Sequence, residues 1–414
     1  MIKLKVLIIT PAFPPEITGS GHLMFELAES LSDRGHEVTV ITAIPRQRMG
    51  GMKNGNLYKT KFLAKENLGK IRIIRPRILT LPLSNPITKG IDHFLIAISY
   101  YLAGWYISHQ DIVLVYSPPL TLGLTGINIA KRFRVPIVFN AQDMFPQYAV
   151  DAGILNNQLL IRFFTHIEEY IYGAATCITV HSDGNQNYLA SRGIDEKKVR
   201  VIPNWADIKR FQPGEKYNEL RKELGLGRAF IISYSGTIGW AQGLDIIMEA
   251  ALILKNKPDI QFLIVGDGPR RKEFENFVNG KKLNNVLILQ LLPRDKYAMM
   301  LQASDVCLIS LHAKISTPVV PGKLFDIMAC GRPVLGNIPS SSDSYKIIKA
   351  SQCGICVQPD LPKKFSEAIL HLYNNPSEAS QMGMNGRQYV ERYFSREICT
   401  GQYERLLLSL VNKL

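Results

Sequence analysis

FIISYSG, from Phe230 to Gly236, decides the fold, because this apolar run, rich in β-branched residues, starts a second series of strands past the middle of a 414-residue chain. It is followed by FLIVGDG (Phe262 to Gly268), NVLIL, VCLIS (Val306 to Ser310) and PVLG (Pro333 to Gly336), with longer amphipathic stretches between them. That alternation is the rhythm of a parallel sheet covered by helices. Upstream the same unit has already run once, as VLIIT (Val6 to Thr10), VTVIT (Val38 to Thr42), IRIIR, IVLVY (Ile112 to Tyr116), PIVFN (Pro136 to Asn140) and CITV (Cys177 to Val180), followed by VRVIPN. Between the two series lies the polar NWADIKRFQPGEKY (Asn204 to Tyr217), whose Pro213 and Gly214 mark a linker. The chain is also too long for one ordinary core. Two α/β domains are expected, residues 1–205 and 206–396, with an amphipathic C-terminal helix in FSREICTGQYERLLLSLVNKL.

Composition narrows the function classes. A hydrophobic content of 46% is that of a packed globular protein, neither disordered nor integral to a membrane. The formal charge of +14 calls for a negatively charged partner: nucleic acid, anionic lipid or a phosphorylated substrate. Between Arg46 and Lys89 eleven basic residues stand against the single acid Glu66, so much of the excess is in one part of the N-terminal half. The opening MIKLKVLIIT runs straight into a strand and lacks the plan of a secretory signal, which places the expected site of action in the cytoplasm. The six cysteines lie in apolar segments and read as buried thiols in a reducing compartment. Cys353 and Cys356 form a C-x-x-C inside SQCGICVQP, which reads as a short buried strand rather than a redox site.

Several site motifs are missing. Gly19 and Gly21 precede an amphipathic helix whose start can hold an anion, but Met24 stands where a dinucleotide fingerprint needs its third glycine. The end of the second strand offers Thr42 and Ala43 instead of an acidic ribose ligand, which disfavours an NAD enzyme. There is no G-x-x-x-x-G-K-[ST], no pair of aspartates two apart and no histidine spacing suited to a metal. A metal-free site without a cofactor is expected. The most informative stretch is STPVVPGKLFDIMACGRPVLG, Ser316 to Gly336. Pro321 and Gly322 lead into a short helix beginning Lys323-Leu324, so its first amides and the Lys323 ammonium are placed to hold a diphosphate, with Asp326 one turn on. The other reading is a capped surface helix with a solvated lysine.

Taken together in order, TGSGHLMFELAESLSDRGHEVTVIT, NAQDMFPQYAVDAGIL, VIPNWAD, YSGTIGWAQGLD, FLIVGDGPRR, LPRDKYAMMLQASDVCL, PGKLFDIMACGRPV and MGMNGRQYVERYFS resemble a retaining glycosyltransferase of family 4 with the GT-B fold. They are similar to the branch that transfers amino or deoxyamino sugars onto lipid-linked precursors of bacterial surface polysaccharides. The resemblance implies two Rossmann-like domains facing across a cleft, the nucleotide held by the second and the acceptor by the first, and a C-terminal helix (397–414) packed back on the first. It implies a UDP-sugar donor for O-antigen or capsule synthesis. The family carries two glutamates eight positions apart; here they are Pro318 and Asp326. Asp326 keeps a carboxylate for ribose hydroxyls, whereas Pro318 offers none for the sugar, which favours a deoxy or N-acetylated donor. The Arg and Lys that many relatives carry after the first strand of the second domain are Thr237 and Gln242. The charge is then expected from Lys323, supported by Arg270 or Arg294, with Gly236 and Gly239 letting the backbone approach the phosphates or serving an ordinary turn.

The histidine found in the first domain of many relatives is also absent. Asp143, in NAQDMFP after a strand end, is the candidate to orient or deprotonate the acceptor hydroxyl, or else a helix cap for the next turn. FLIAISYYLAGWYI, Phe94 to Ile107, is uncharged and too short to span a bilayer. Its Tyr100, Tyr101, Trp105 and Tyr106 beside the basic run suit an anionic membrane surface, and a buried helix fits as well. No nucleic-acid signature accompanies the charge. The expected partner is therefore a lipid-diphosphate-linked saccharide on the inner face of the membrane. A nucleotide-sugar epimerase and a non-catalytic sugar-nucleotide binder are the alternatives.

Overall fold

The computed structural model describes residues 2–16, 18–45, 62–78 and 86–412, with only the backbone of 86–90. It divides into two compact units, Met1–Pro203 with Glu397–Leu414, and Asn204–Arg396. The first unit holds strands β1 (Lys5–Ile9), β2 (Glu37–Ile41), β3 (Leu63–Leu68), β4 (Ile71–Pro76), β5 (Ile112–Ser117), β6 (Ile137–Ala141), β7 (Cys177–Val180) and β8 (Val199–Val201). Its helices are α1 (Gly19–Asp33), α2 (Pro86–Gly104), α3 (Leu122–Phe133), α4 (Gln147–Asp151), α5 (Gln158–Ala174) and α6 (Asp183–Ser191). The sheet order is β3-β4-β2-β1-β5-β6-β7-β8, parallel except for the β3-β4 hairpin. β1, in the middle, runs parallel to both β2 and β5, so the chain winds outward from it in two directions and the loops after these strands gather at one end.

The alternation of apolar runs predicts all of these strands but β3. LAKENL buries only Ala64 and forms the sheet edge, so it has no core-facing stripe to betray it. Gly69, at φ +59°, opens the two-residue turn that folds β3 back on β4. Of the basic run, Arg46, Arg48, Lys53, Lys59 and Lys61 lie outside the described residues. Arg75 is not a surface cation: it is fully buried, donating to Ala43 O (3.0 Å), to Pro14 O and to Glu66 (2.5 Å). One guanidinium thus fastens the loops after β1 and β2, so this charge is structural. The segment Phe94–Ile107 likewise divides: Tyr100 is buried and its hydroxyl donates to Thr10 O (3.1 Å), while Trp105 and Tyr106 are exposed. α2 is therefore a core helix with an outward apolar stripe; Tyr100 leaves the set proposed for a surface, and Tyr101 is half-buried against the core.

The second unit contains β9 (Phe230–Thr237), β10 (Ile260–Asp267), β11 (Val286–Leu289), β12 (Val306–Ser310), β13 (Val334–Asn337) and β14 (Gly354–Val357), all parallel, in the order β11-β10-β9-β12-β13-β14. Its helices are α7 (Glu219–Glu223), α8 (Asp245–Ile253), α9 (Arg271–Lys281), α10 (Arg294–Ala303), α11 (Lys323–Ala329), α12 (Asp343–Ser351), α13 (Pro362–Asn374) and α14 (Pro376–Tyr393). Strand alternation sorts the core into two layers: Ile231, Leu263, Val265, Cys307 and Ile309 on one face, Ile232, Phe262, Ile264, Val306 and Leu308 on the other. Both faces are covered by helices, as the unbroken apolar runs require.

The last helix, α15 (Arg396–Val411), belongs to the first unit. Its buried Tyr403 accepts a hydrogen bond from Asn140 Nδ2 at the end of β6, and Arg34 donates to Thr400 Oγ1 (3.2 Å).

Candidate active site

In the second unit the candidate residues collect at the C-terminal ends of β9 and β12. Gly236, the penultimate residue of β9, is at φ +138°, in the positive-φ region that favours glycine. A Cβ there would lie 3.0 Å from Lys323 Nζ, so the glycine makes room for the lysine. Lys323 opens α11 and reaches back to this turn, donating to Ser235 O (2.8 Å) with its ammonium 3.9 Å from the Tyr234 ring centre. Burial pushes its pKa down to about 7, since the ammonium has lost water without gaining a carboxylate. Among the described residues no counter-anion holds its charge, so an incoming anion would recharge it. Above Gly322 there is open space.

The other expected donor residues divide. Leu324 is fully buried and its amide is spent on Pro321 O (2.9 Å), so it offers no group to a ligand. Phe325 N is likewise bonded to Gly322 O, which leaves the Lys323 side chain as the strong element of this turn. Arg270 is not a spare cation. It pairs bidentately with Asp245 (2.7 Å to each oxygen), bonds Glu273 and lies 4.2 Å from the Trp240 ring centre, an arrangement that ties α8, α9 and the Trp240 turn together. The two carboxylates hold its pKa well above the usual guanidinium value. Arg270→Leu should therefore lower unfolding stability by about 1–3 kcal/mol, read from urea unfolding, rather than abolish nucleotide affinity.

Arg294 and Asp326 come into one cluster. Arg294 lies over Phe211 (5.4 Å), Phe211 meets Tyr297 edge-on (5.6 Å), and the Tyr297 hydroxyl donates to Asp326 Oδ2 (3.4 Å). Gly239 precedes a 3-10 turn, where a Cβ would crowd Gln242 Oε1 at 2.9 Å.

Gly19 and Gly21 are in the first unit. The Gly21 amide is spent on the Thr18 side chain (3.0 Å), so it serves the helix cap and not a phosphate. Near them, at the ends of β5 and β6, a second cluster forms. Asp143 is beside Tyr116 and Tyr148, and Ser20 of α1 stands close to the Tyr116 hydroxyl. Burial pushes the Asp143 carboxyl up to about 6. No side chain caps α4, which removes the helix-cap reading of Asp143. The thiols of Cys353 and Cys356 are pushed up to about 11 and about 12 by burial, which leaves neither reactive near neutrality. Among the described residues no three His, Cys, Asp or Glu gather as a metal site.

Two family models divide this chain between them: "Glycosyltransferase Family 4" matches residues 17–210 and "Glycosyl transferases group 1" matches 216–389. The chain belongs to the group 1 glycosyltransferases of family 4. This glycosyltransferase is 26% identical to the putative colanic acid biosynthesis glycosyl transferase WcaI of Escherichia coli K12, across 97% of this chain and 98% of that one. It is 21% identical to the alpha-monoglucosyldiacylglycerol synthase of Acholeplasma laidlawii, across 99% and 98%. In fold it matches Anabaena Alr3699/HepE solved with UDP-glucose, with a TM-score of 0.74 at 15% identity over 98% of this chain and all of that one. The glycosyltransferase therefore has the GT-B fold, with a parallel-sheet, Rossmann-like domain in each unit.

Within it, Tyr116, Tyr148, Ser20, Tyr234 and Tyr297 join the site clusters without having been singled out by sequence. The signal available for two of them was position: Tyr116 stands next to the last residue of β5, and Tyr234 lies within the run that ends at Gly236.

Proposed function

We propose that the protein transfers a sugar from a UDP-sugar to a lipid-linked saccharide with retention of configuration, without a metal, in the synthesis of a bacterial surface polysaccharide at an anionic membrane surface. The observation that carries this reading is Lys323, a half-buried ammonium drawn against a glycine turn at the end of β9 with, among the described residues, no carboxylate to neutralise it. As the glycosidic bond breaks, its electron pair leaves with the diphosphate, and the growing negative charge is what such a cation stabilises. The acceptor hydroxyl attacks from the face the diphosphate leaves, and its proton passes to the Asp143 carboxylate. Asp326 accepts from the ribose hydroxyls. Pro318, which has no polar side chain, favours a deoxy or N-acetylated sugar. The colanic acid relative supports the polysaccharide assignment, and the UDP-glucose complex of the structural neighbour supports the donor class.

A thermal-shift panel of nucleotide sugars tests the reading: UDP and UDP-N-acetylhexosamines should raise Tm with EDTA present, and indifference to every nucleotide would contradict it. The lysine also gives UDP affinity a definite pH dependence. Free Lys323 loses its proton above about pH 7, whereas the bound diphosphate raises its pKa, so binding takes up a proton. Affinity should be flat with respect to this group below pH 7 and fall by up to about tenfold per pH unit above it. Calorimetry in buffers of different ionisation enthalpy measures the uptake directly.

A further inference from the structure

The first unit carries an apolar surface that its own core does not explain. On α2, Ile91, Ile98 and Leu102 are exposed at helical spacing, continued by Trp105 in the turn just past its end, while Ala97, Tyr100 and Ala103 of the opposite face are buried. On α5, Leu159, Leu160, Phe163 and Tyr170 are exposed, with Leu159 at 75%, whereas Phe164, Ile171 and Tyr172 are buried. The two stripes are neighbours. Phe94 of α2 lies 6.1 Å from Phe163 and 6.3 Å from Phe164, and α3 packs against both helices.

Cations stand on the aromatic rings at its margin. The Arg132 guanidinium is 4.4 Å from the Trp105 ring centre and bonds Gly104 O (3.0 Å), Lys131 lies 5.8 Å from Tyr170, and Lys65 lies 5.5 Å from Tyr106. Arg162 and His166 are also exposed on α5, as is the acid Glu169. Aromatic residues topped by Lys and Arg suit the headgroup level of an anionic bilayer, where the rings enter the interface and the cations meet phosphates. A purely apolar protein partner would leave these charges without counterparts.

We propose that the joined outer faces of α2 and α5, with Arg132, Lys131 and Lys65 at their edge, form the docking surface by which this protein lies on an anionic lipid bilayer. The inference rests on the reading that the acceptor is lipid-linked, and it adds α5 to the surface, which sequence reasoning had confined to Phe94–Ile107. No helix among the described residues is long and apolar enough to cross a membrane, so the attachment lies in the interface.

Vesicle co-sedimentation tests it on the full chain. The protein should pellet with phosphatidylcholine vesicles containing phosphatidylglycerol, not with phosphatidylcholine alone, and salt should release it. The triple variant Leu102→Gln, Trp105→Gln, Phe163→Gln and the double variant Lys131→Glu, Arg132→Glu should each lose at least about tenfold in vesicle affinity. Both should keep the wild-type Tm and UDP affinity, because the altered side chains are exposed and belong to neither site cluster. Wild-type vesicle binding in both variants overturns the proposal. So does a wild-type dimer that the triple variant converts to monomer without any vesicle binding, which would make the surface an interface between copies. Patch-dependent binding in a protein inert toward every nucleotide would uphold the docking surface and sink the transferase reading instead.

Discussion

Lys323→Ala should lower kcat for sugar transfer by about a hundred- to a thousandfold, roughly 3–4 kcal/mol of lost stabilisation of the departing diphosphate. The fold should survive. Among the described residues Lys323 has no carboxylate partner, and burial already works against its charge, so removal strands no ion and forfeits one hydrogen bond to Ser235 O. A Tm within a few degrees of wild type, with the loss confined to turnover and nucleotide affinity, separates a site lysine from a structural one. Lys323→Met, close in length and without charge, should behave as the alanine does; if methionine restores turnover, packing rather than charge is what the position supplies.

Asp143→Asn should reduce kcat/KM by about a hundred- to ten-thousandfold, the usual span for a lost general base. The pH profile makes the assignment specific. For the free enzyme, Asp143 must be ionised and Lys323 protonated, so kcat/KM should form a narrow bell with limbs near pH 6 and near pH 7. The asparagine variant should lose the acid limb and keep the alkaline one. Stability supplies an independent sign. A carboxyl whose pKa is raised in the folded state binds its proton more tightly there, so its ionisation costs stability as pH rises from about 4 through about 6. Asp143→Asn should consequently melt higher than wild type at pH 8, with the difference vanishing near pH 4. An unchanged profile and an unchanged melting difference would remove Asp143 from the chemistry.

The parts of this molecule legible in sequence are those set by local pattern. Strands buried on both faces announce themselves as apolar runs, so β9, β12 and their counterparts in the first unit were readable to within a residue or two. β3 was not, because an edge strand with one buried side chain has no such run. Side-chain roles fixed by distant partners were also out of reach. Arg270 reads as a free cation until Asp245 folds against it, and Arg75 reads as surface charge until Pro14, Ala43 and Glu66 enclose it. Tyr100 and Trp105 sit in one apolar stretch yet face opposite ways, which helical period alone does not resolve without knowing where the core lies. Lys323 and Gly236 are each visible as motif residues; their contact, across nearly ninety positions, required the fold.

The central claim is that Lys323 exists to meet a diphosphate, and comparing uridine with UDP tests it most directly. Calorimetric titration of both ligands into wild type and Lys323→Ala at pH 6.5 (roughly where Lys323 is still charged) isolates the phosphate contribution, because any effect on the nucleoside cancels. The account predicts that wild type binds UDP far more tightly than uridine and that the variant loses most of this preference while its uridine affinity stays put. An undiminished preference for UDP in the variant would contradict it.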